Sequence, residues 1–186
     1  MPKLLFAKPN PSPSTGCIVR FFLAFKVMLF TLLVPGAVTL YFPYSLLSRS
    51  GTRLPPDNLA LAIPAVACIV VGAALYFRCA WDFAVQGLGT PAPIDPPKKL
   101  VVTGPYRWTR NPMYQGVLLI LLAECLLFPG RGLWVYAASF ALTFHCFVVF
   151  YEEPSLGAKF GEPFRDYCRQ VPRWGFALRL FSLDSA

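Results

Sequence analysis

The chain has 186 residues, of which 56% are hydrophobic and only 14% are charged. A soluble domain carries about 25% charged residues, so this composition excludes an ordinary soluble protein and indicates an integral membrane protein. The 17 lysines and arginines exceed the 9 acidic residues and give a net charge of +8. These cations flank apolar runs, which favours a lipid bilayer over nucleic acid as the partner.

The N-terminal half predicts a tail followed by two transmembrane helices. Residues 1–16 contain four prolines and should form a flexible tail. Residues 17–97 should hold the two helices and a linker, with apolar runs at 19–47 and 59–77. The second run has about the ~20 residues that a bilayer span needs. Residues 86–97, rich in glycine and proline, are interpreted as the linker.

A polar segment, GPYRWTRNPMY at residues 104–114, stands directly before the next apolar run. We call it the shelf. Pro105 and Pro112 fix the local backbone and push the residue before each of them away from helical geometry. Arg107 and Arg110 stay charged and suit anionic groups. The pattern is compatible with a juxtamembrane loop on lipid headgroups and equally with one wall of a ligand site.

Two further apolar runs, residues 113–128 and 133–151, are separated by a four-residue turn. Such a short turn forces an antiparallel helical hairpin, which brings the predicted number of transmembrane helices to about four in an all-α protein. Counting from the turn places Glu152 level with Thr109, so the end of the hairpin should return to the shelf. Glu124 lies near the far end, where a contact with Arg131 is expected rather than catalysis.

The segment after the hairpin, residues 152–173, has apolar residues at three- and four-residue steps. Leu156, Phe160, Phe164 and Tyr167 predict a partly amphipathic helix broken near Gly161 and Pro163. Two interpretations stay open for it, with periodicity favouring the first. It either lies on the membrane surface or covers a ligand site.

The distribution of cations predicts the topology. Thirteen lysines and arginines lie at the N-terminus, between the second and third helices, or after the fourth, whereas the opposite side holds three. By the positive-inside rule, both termini and the shelf of this multi-pass protein should face the cytoplasm.

Cysteine and histidine usage gives no sign of a metal site. The six cysteines lack a CxxC spacing and several lie inside apolar runs, which is typical of reduced core residues. The single histidine, His145, falls level with Gly116 by the hairpin count. It is either a hydrogen-bonded core residue or, because imidazole titrates near neutrality, a proton acceptor in a site.

Two separated motifs in order, G-P-Y-R-x-x-R-N-P-x-Y and then E-E-x-x-L-x-x-x-F-G with V-P-R-W, carry a resemblance over residues 98–174. The pattern resembles the isoprenylcysteine carboxyl methyltransferase and phospholipid methyltransferase superfamily of membrane enzymes. The resemblance implies that residues 98–186 form a methyltransferase core. It implies S-adenosyl-L-methionine as cofactor, bound at the cytosolic ends of the last helices, and a lipophilic acceptor that enters from the bilayer.

The resemblance also implies site residues. An arginine, histidine, proline and tyrosine motif of the family is matched by Arg110 to Tyr114, with Asn111 where the family has histidine. Since asparagine does not titrate, this substitution argues against proton transfer at that position. The implied catalytic residues are Arg110, Asn111, Tyr114 and His145. The implied cofactor-binding residues are Lys99, Leu100, Val101, Tyr106, Asn111, Pro112, Met113, Tyr114, Glu152 and Glu153.

Individual roles follow from the chemistry of these side chains. Glu152 is expected to bind the ribose hydroxyls or the amino group of the cofactor, and Arg110 its carboxylate. In the prenylcysteine enzymes an arginine four residues before that glutamate meets the substrate, and here the position is Val148. A prenylcysteine-type carboxylate is therefore only one acceptor among several, with a phospholipid amine and other lipids as the others.

Two other functions fit parts of the same sequence. Sterol reductases have a similar tyrosine-rich C-terminal tail and use NADPH, but they contain many more transmembrane segments than this chain. A membrane scaffold without enzymatic activity would leave the arginines and glutamates as headgroup contacts. The sequence leaves the methyl acceptor and the oligomeric state open.

Overall fold

The protein is built from helices in the computed structural model, which describes residue 25 and residues 28–50, 59–82, 100–128 and 130–177. Within these ranges there is no strand, so the predicted all-α class is confirmed. The predicted tail and most of the linker before the shelf lie outside the described residues. The helices are α1 Met28–Arg49, α2 Leu59–Asp82, α3 Pro112–Leu127, α4 Arg131–Phe160 and α5 Glu162–Gln170, with a short 3₁₀ turn at Gly104–Arg107.

Three of these helices are long and apolar enough to cross a membrane, namely α1, α2 and α4. The 16 residues of α3 rise by about 24 Å at 1.5 Å per residue, which is less than the roughly 30 Å hydrocarbon core. The predicted helical hairpin is present as α3 and α4. A fourth crossing, by α3, stays a prediction.

The fourth helix is longer than predicted. It does not end at Tyr151 but continues through a π-helical turn at Val148–Glu152 into the segment Glu153–Phe160. Pro154 is the second residue after this turn, and proline lacks a backbone N–H and clashes with the carbonyl four residues before it in an ordinary α-helix. The wider π turn accommodates the proline without ending the helix. The break falls at Gly161, whose φ of 62° marks a left-handed backbone.

Helices α2 and α3 pack at their backbones. A Cβ atom added to Gly72 would lie 2.5 Å from the Gly116 carbonyl oxygen, and one added to Gly116 would lie 2.6 Å from the Gly72 oxygen. Only glycine permits this approach, which is a common way for membrane helices to associate. Tyr76, Val117 and Leu121 form the core beside this crossing.

The apolar face of α5 packs against the segment before the shelf. Phe164 and Tyr167 are buried together with Val102 and Val171. The prediction of an apolar face and of a break near Gly161 is confirmed. This apolar face is covered by protein, and the favoured interpretation of a helix lying on the membrane stays a prediction.

Residues 171–177 then wrap over the shelf, and we call them the strap. The Arg110 amide donates to the Pro172 carbonyl at 3.0 Å, and the Ala177 amide donates to the Trp108 carbonyl at 2.7 Å. No residue pattern in the sequence predicts this contact. Because the strap bonds to the shelf through its backbone, the C-terminal region holds the shelf in place.

Candidate functional site

A cavity of about 420 Å³ lies between the shelf and helices α1, α3 and α4. Its two ends differ in chemistry. The polar end is formed by Tyr106, Arg110, Asn111, Tyr114 and Glu152. The remaining wall is mostly apolar and includes Phe30, Val34, Val38, Val117, Phe140, Phe144 and Phe147.

The two ends of the helical hairpin meet at the polar end of the cavity. The Tyr114 hydroxyl, in the first turn of α3, donates to Glu152 Oε2 at 2.8 Å. The expected return of the hairpin to the shelf is therefore confirmed. Glu152 is the last residue of the π turn of α4, and it lies in the cavity wall.

The neighbouring glutamate has different partners. Glu153 accepts hydrogen bonds from two arginines, Arg110 Nη1 on Oε1 at 2.8 Å and Arg173 through Nε on Oε1 and Nη2 on Oε2, both at 2.8 Å. The hydrogen bonds to Glu153 raise the pKa of Arg173. Glu153 is thus occupied in joining shelf and strap and does not line the cavity, which leaves Glu152 as the cavity-facing member of the pair.

The guanidinium of Arg110 has one N–H group without a hydrogen-bond partner among the described residues. Its Nη1 also donates to the sulfur of Cys168 at 3.0 Å, and burial raises the pKa of this thiol, so it stays protonated at neutral pH. Arg110 Nε is buried and has no hydrogen-bond partner among the described residues. Arg110 also lines the cavity, and a guanidinium in a cavity wall is suited to a carboxylate or another acceptor on a ligand.

Tyr106 is the buried aromatic residue of the shelf. Its side chain is hydrogen-bonded with Cys79 of α2, and its carbonyl accepts a 2.7 Å bond from the Tyr167 hydroxyl. Burial raises the pKa of Tyr106 well above its usual value, so the phenol stays neutral. A fixed, neutral aromatic ring at the cavity wall offers a stacking surface to a ligand.

The position that differs from the family motif has a structural partner. Asn111 donates through Nδ2 to the Arg173 carbonyl at 3.0 Å, and it is 5% exposed. The amide therefore ties the start of α3 to the strap while also lining the cavity. Pro112, the first residue of α3, is fully buried behind it. Proline suits this place, since the first N–H of a helix has no partner within the helix.

Other predicted site residues do not reach the cavity. The ring of His145 is exposed, and its Nδ1 accepts a 3.0 Å bond from Trp174 Nε1 of the strap. The expectation of a core histidine is therefore wrong, and the structure does not bring His145 to the cavity wall. Leu100 packs against the α5 cluster and Val101 beside Cys79. Lys99 lies outside the described residues.

Glu124 does not contact Arg131 as expected. Among the described residues no ion pair joins them, and Glu124 Oε2 is buried without a hydrogen-bond partner. The reason is that Arg131 opens α4 with an exposed side chain, whereas Glu124 lies one turn inside α3. Glu124 is also absent from the cavity wall described above.

The apolar wall contains residues that sequence reasoning missed. Phe140 and Phe144 of α4 stand 5.7 Å apart between ring centroids, and Tyr114 lies 4.8 Å from Phe144. The spacing of four residues along α4 marks these rings as one helical face, a signal that was available. The residues of α1, such as Val38, carried no such signal, because their run is apolar on all sides.

Comparison with known proteins identifies the family. The phospholipid methyltransferase family matches residues 61–163, more than half of the chain. A protein of Haemophilus influenzae, described only as uncharacterized, is 39% identical over 62 residues, which are 33% of this chain and 98% of that protein. No solved structure matches. The chain belongs to the phospholipid methyltransferase family, within the isoprenylcysteine and phospholipid methyltransferase superfamily.

Proposed function

We propose that this protein is a membrane methyltransferase that uses S-adenosyl-L-methionine and transfers the methyl group to a lipophilic acceptor at the cytosolic boundary of the membrane. The observation that carries the proposal is the cavity itself. Arg110 and the Tyr114–Glu152 pair close one end of it, and apolar side chains from apolar helices form the rest. Its volume of about 420 Å³ lies within the usual range of ligand pockets.

The polar end fits the cofactor. Arg110, which lines this end, suits the carboxylate of the methionine part. Glu152 can accept hydrogen bonds from the amino group or from ribose hydroxyls, and Tyr106 can stack on the adenine. Met113 and Asn111 lie in the same wall. When bound, the cofactor supplies an electrophilic methyl group on a sulfonium.

The protein's own contribution is positioning and exclusion of water. Methyl transfer is an in-line displacement, so most of the acceleration comes from holding two reactants in line in a dry site. Phe140, Phe144 and Phe147 form a water-poor wall for the acceptor. The Tyr114–Glu152 hydrogen bond keeps the carboxylate at the junction of the polar and apolar parts.

The described cavity wall does not favour the reductase or the scaffold. A scaffold needs no arginine and no carboxylate in the wall of an otherwise apolar cavity. A reductase would have to hold the phosphates of NADPH, and Arg110 is the one cation in the described wall. Family membership points the same way.

Ligand binding tests the proposal. Purified protein in detergent should be thermally stabilised by S-adenosylhomocysteine and not by NADPH. Folded protein that shows no stabilisation by S-adenosylhomocysteine would contradict the proposal, and stabilisation by NADPH alone would support the reductase.

The acceptor requires a separate experiment. Lipid extracts are incubated with the protein and an isotopically labelled methyl donor, and the labelled products are identified by mass spectrometry. We expect label in a lipid-soluble product. The proposed orientation, with both termini in the cytoplasm, is tested by accessibility of terminal tags in sealed vesicles.

A further inference from the structure

The last residue of α2 is a buried carboxylate that the proposed function does not use. The side chain of Asp82 is 1% exposed. Arg78 Nε donates to Asp82 Oδ2 at 3.3 Å, but the Arg78 side chain is itself 57% exposed. Burying a carboxylate costs free energy unless its surroundings compensate. The contacts that cover Asp82 therefore indicate its role.

The shelf covers Asp82 at Gly104. Gly104 has φ of 56°, and a Cβ atom added there would collide with Asp82 Oδ2. This position thus requires glycine for two reasons, a left-handed backbone and a close approach of the carboxylate. Gly104 also begins the 3₁₀ turn Gly104–Arg107, so the carboxylate meets this turn at its first residue.

A second contact of α2 lies one turn earlier. Cys79 is fully buried, and its thiol is hydrogen-bonded with the Tyr106 side chain. Tyr106 lines the cavity and is held from the other side by the Tyr167 hydroxyl on its carbonyl. The end of α2 and helix α5 therefore contact the shelf from two sides and hold it in place. Asp82 itself does not line the cavity.

We propose that Asp82 is a positioning residue. From the end of α2 it fixes the turn Gly104–Arg107, and through that turn the placement of Tyr106 and Arg110 in the cavity wall. The part of this inference that concerns the cofactor rests on the proposed function. The part that concerns the shelf does not.

The first experiment compares cofactor binding with folding stability. Asp82→Ala should weaken the affinity for S-adenosylhomocysteine at least about tenfold, which corresponds to ~1.4 kcal/mol. The KM for the methyl donor should rise by a similar factor. Asp82→Asn should retain part of the affinity, since its amide oxygen can still accept from Arg78. The matched control is Trp81→Ala, because Trp81 is adjacent but 63% exposed, and this change should leave affinity as in the wild type.

A double variant at Asp82 and Gly104 tests whether Asp82 acts on the cavity through the turn Gly104–Arg107. Gly104→Ala should weaken binding in the same way, and the double variant with Asp82→Ala should lose less than the product of the two single effects, because both act through one turn. A lower melting temperature without ligand, together with unchanged affinity and KM in Asp82→Ala and Asp82→Asn, would overturn the positioning role.

The second experiment does not depend on the cofactor. Maleimide labelling of Cys79 in the full chain is followed by peptide mass spectrometry. Asp82→Ala and also Gly104→Ala, which keeps the Asp82 charge beside the thiol, should both label at least about tenfold faster than wild type, while Trp81→Ala should not, because local opening sets such rates. Cys79 that stays protected in Asp82→Ala overturns the inference. Should the wild type fail to bind S-adenosylhomocysteine, the proposed function fails, and the labelling still decides whether Asp82 holds the shelf.

Discussion

Tyr114 donates a 2.8 Å hydrogen bond to Glu152, which is 38 residues further along the chain. Tyr114 lies in the first turn of α3 and Glu152 ends the π turn of α4, so this one bond closes the open end of the hairpin. It also lies in the cavity wall. Structure and proposed chemistry therefore depend on the same pair of side chains.

Glu152→Gln separates the charge of this pair from its hydrogen bond. The amide oxygen can still accept from Tyr114, so the melting temperature without ligand should change little. Affinity for S-adenosylhomocysteine should fall about 10- to 100-fold, because a hydrogen bond to a charged group contributes ~1.5–3 kcal/mol. Isothermal titration in detergent measures it. Tyr114→Phe is the control that keeps the charge, and normal binding by Glu152→Gln would refute the assignment.

Glu153→Gln should act on stability. It weakens the ion pairs to Arg110 and Arg173 at a carboxylate that is 17% exposed. We expect a loss of about 2 kcal/mol in the free energy of unfolding, the scale of a hydrogen bond to a charged group. Thermal unfolding without ligand measures it. Glu162→Gln is the matched control, since its pair with Arg165 is exposed and should contribute less than ~1 kcal/mol.

The close contact between Gly72 of α2 and Gly116 of α3 predicts that a larger residue at either position overpacks this helix interface. Gly72→Ala and Gly116→Ala should each destabilise the fold by ~1–3 kcal/mol, because a methyl group must displace backbone. The double variant should lose less than the sum, since either change alone already separates the helices. Gly132→Ala is the control, because a Cβ at Gly132 meets nothing within 4 Å. Equal melting temperatures for all variants would show that α2 and α3 do not cross here.

His145→Gln distinguishes a general base from a surface contact. Loss of a general base lowers turnover by about 10²- to 10⁴-fold. The His145 ring is exposed and hydrogen-bonded to Trp174. We therefore expect turnover in the labelled-methyl assay to stay within about threefold of wild type, a much smaller loss than removal of a general base causes. Trp174→Phe, which removes the donor of the same bond, should match it. A selective loss of turnover in His145→Gln would return His145 to the site.

Glu124→Gln should leave methyl transfer unchanged and should not destabilise the protein. Glu124 Oε2 is buried without a partner, and replacing a buried acid of this kind removes a desolvation cost of order 1 kcal/mol. We expect an equal or higher melting temperature, measured together with labelled-methyl transfer. Loss of transfer at an unchanged melting temperature would assign Glu124 to the chemistry instead.

The hairpin and its return to the shelf could be predicted from the sequence because both follow from local signals. A four-residue turn fixes the antiparallel order, and counting from that turn placed Glu152 level with the shelf. The different partners of Glu152 and Glu153 could not be predicted. They depend on a π turn whose cause, Pro154, is visible in the sequence but whose extent is not.

Contacts between segments that are distant in the sequence could be predicted least. The strap reaches the shelf mainly through backbone carbonyls, such as those of Pro172 and Arg173, and a carbonyl leaves no mark on residue type. Asp82 follows the apolar run 59–77, and nothing in the sequence predicts that its side chain is buried. Its burial depends on Gly104, which lies beyond a segment outside the described residues.

The length of α4 links the site to the bilayer. Its 30 residues extend about 45 Å, well beyond the hydrocarbon thickness of roughly 30 Å, and a helix with such an excess tilts or emerges. Because Phe140 and Glu152 both belong to α4, a change in the tilt of this helix moves the apolar wall and the polar end of the cavity together. A change in bilayer thickness should therefore shift both ends of the cavity relative to the membrane surface.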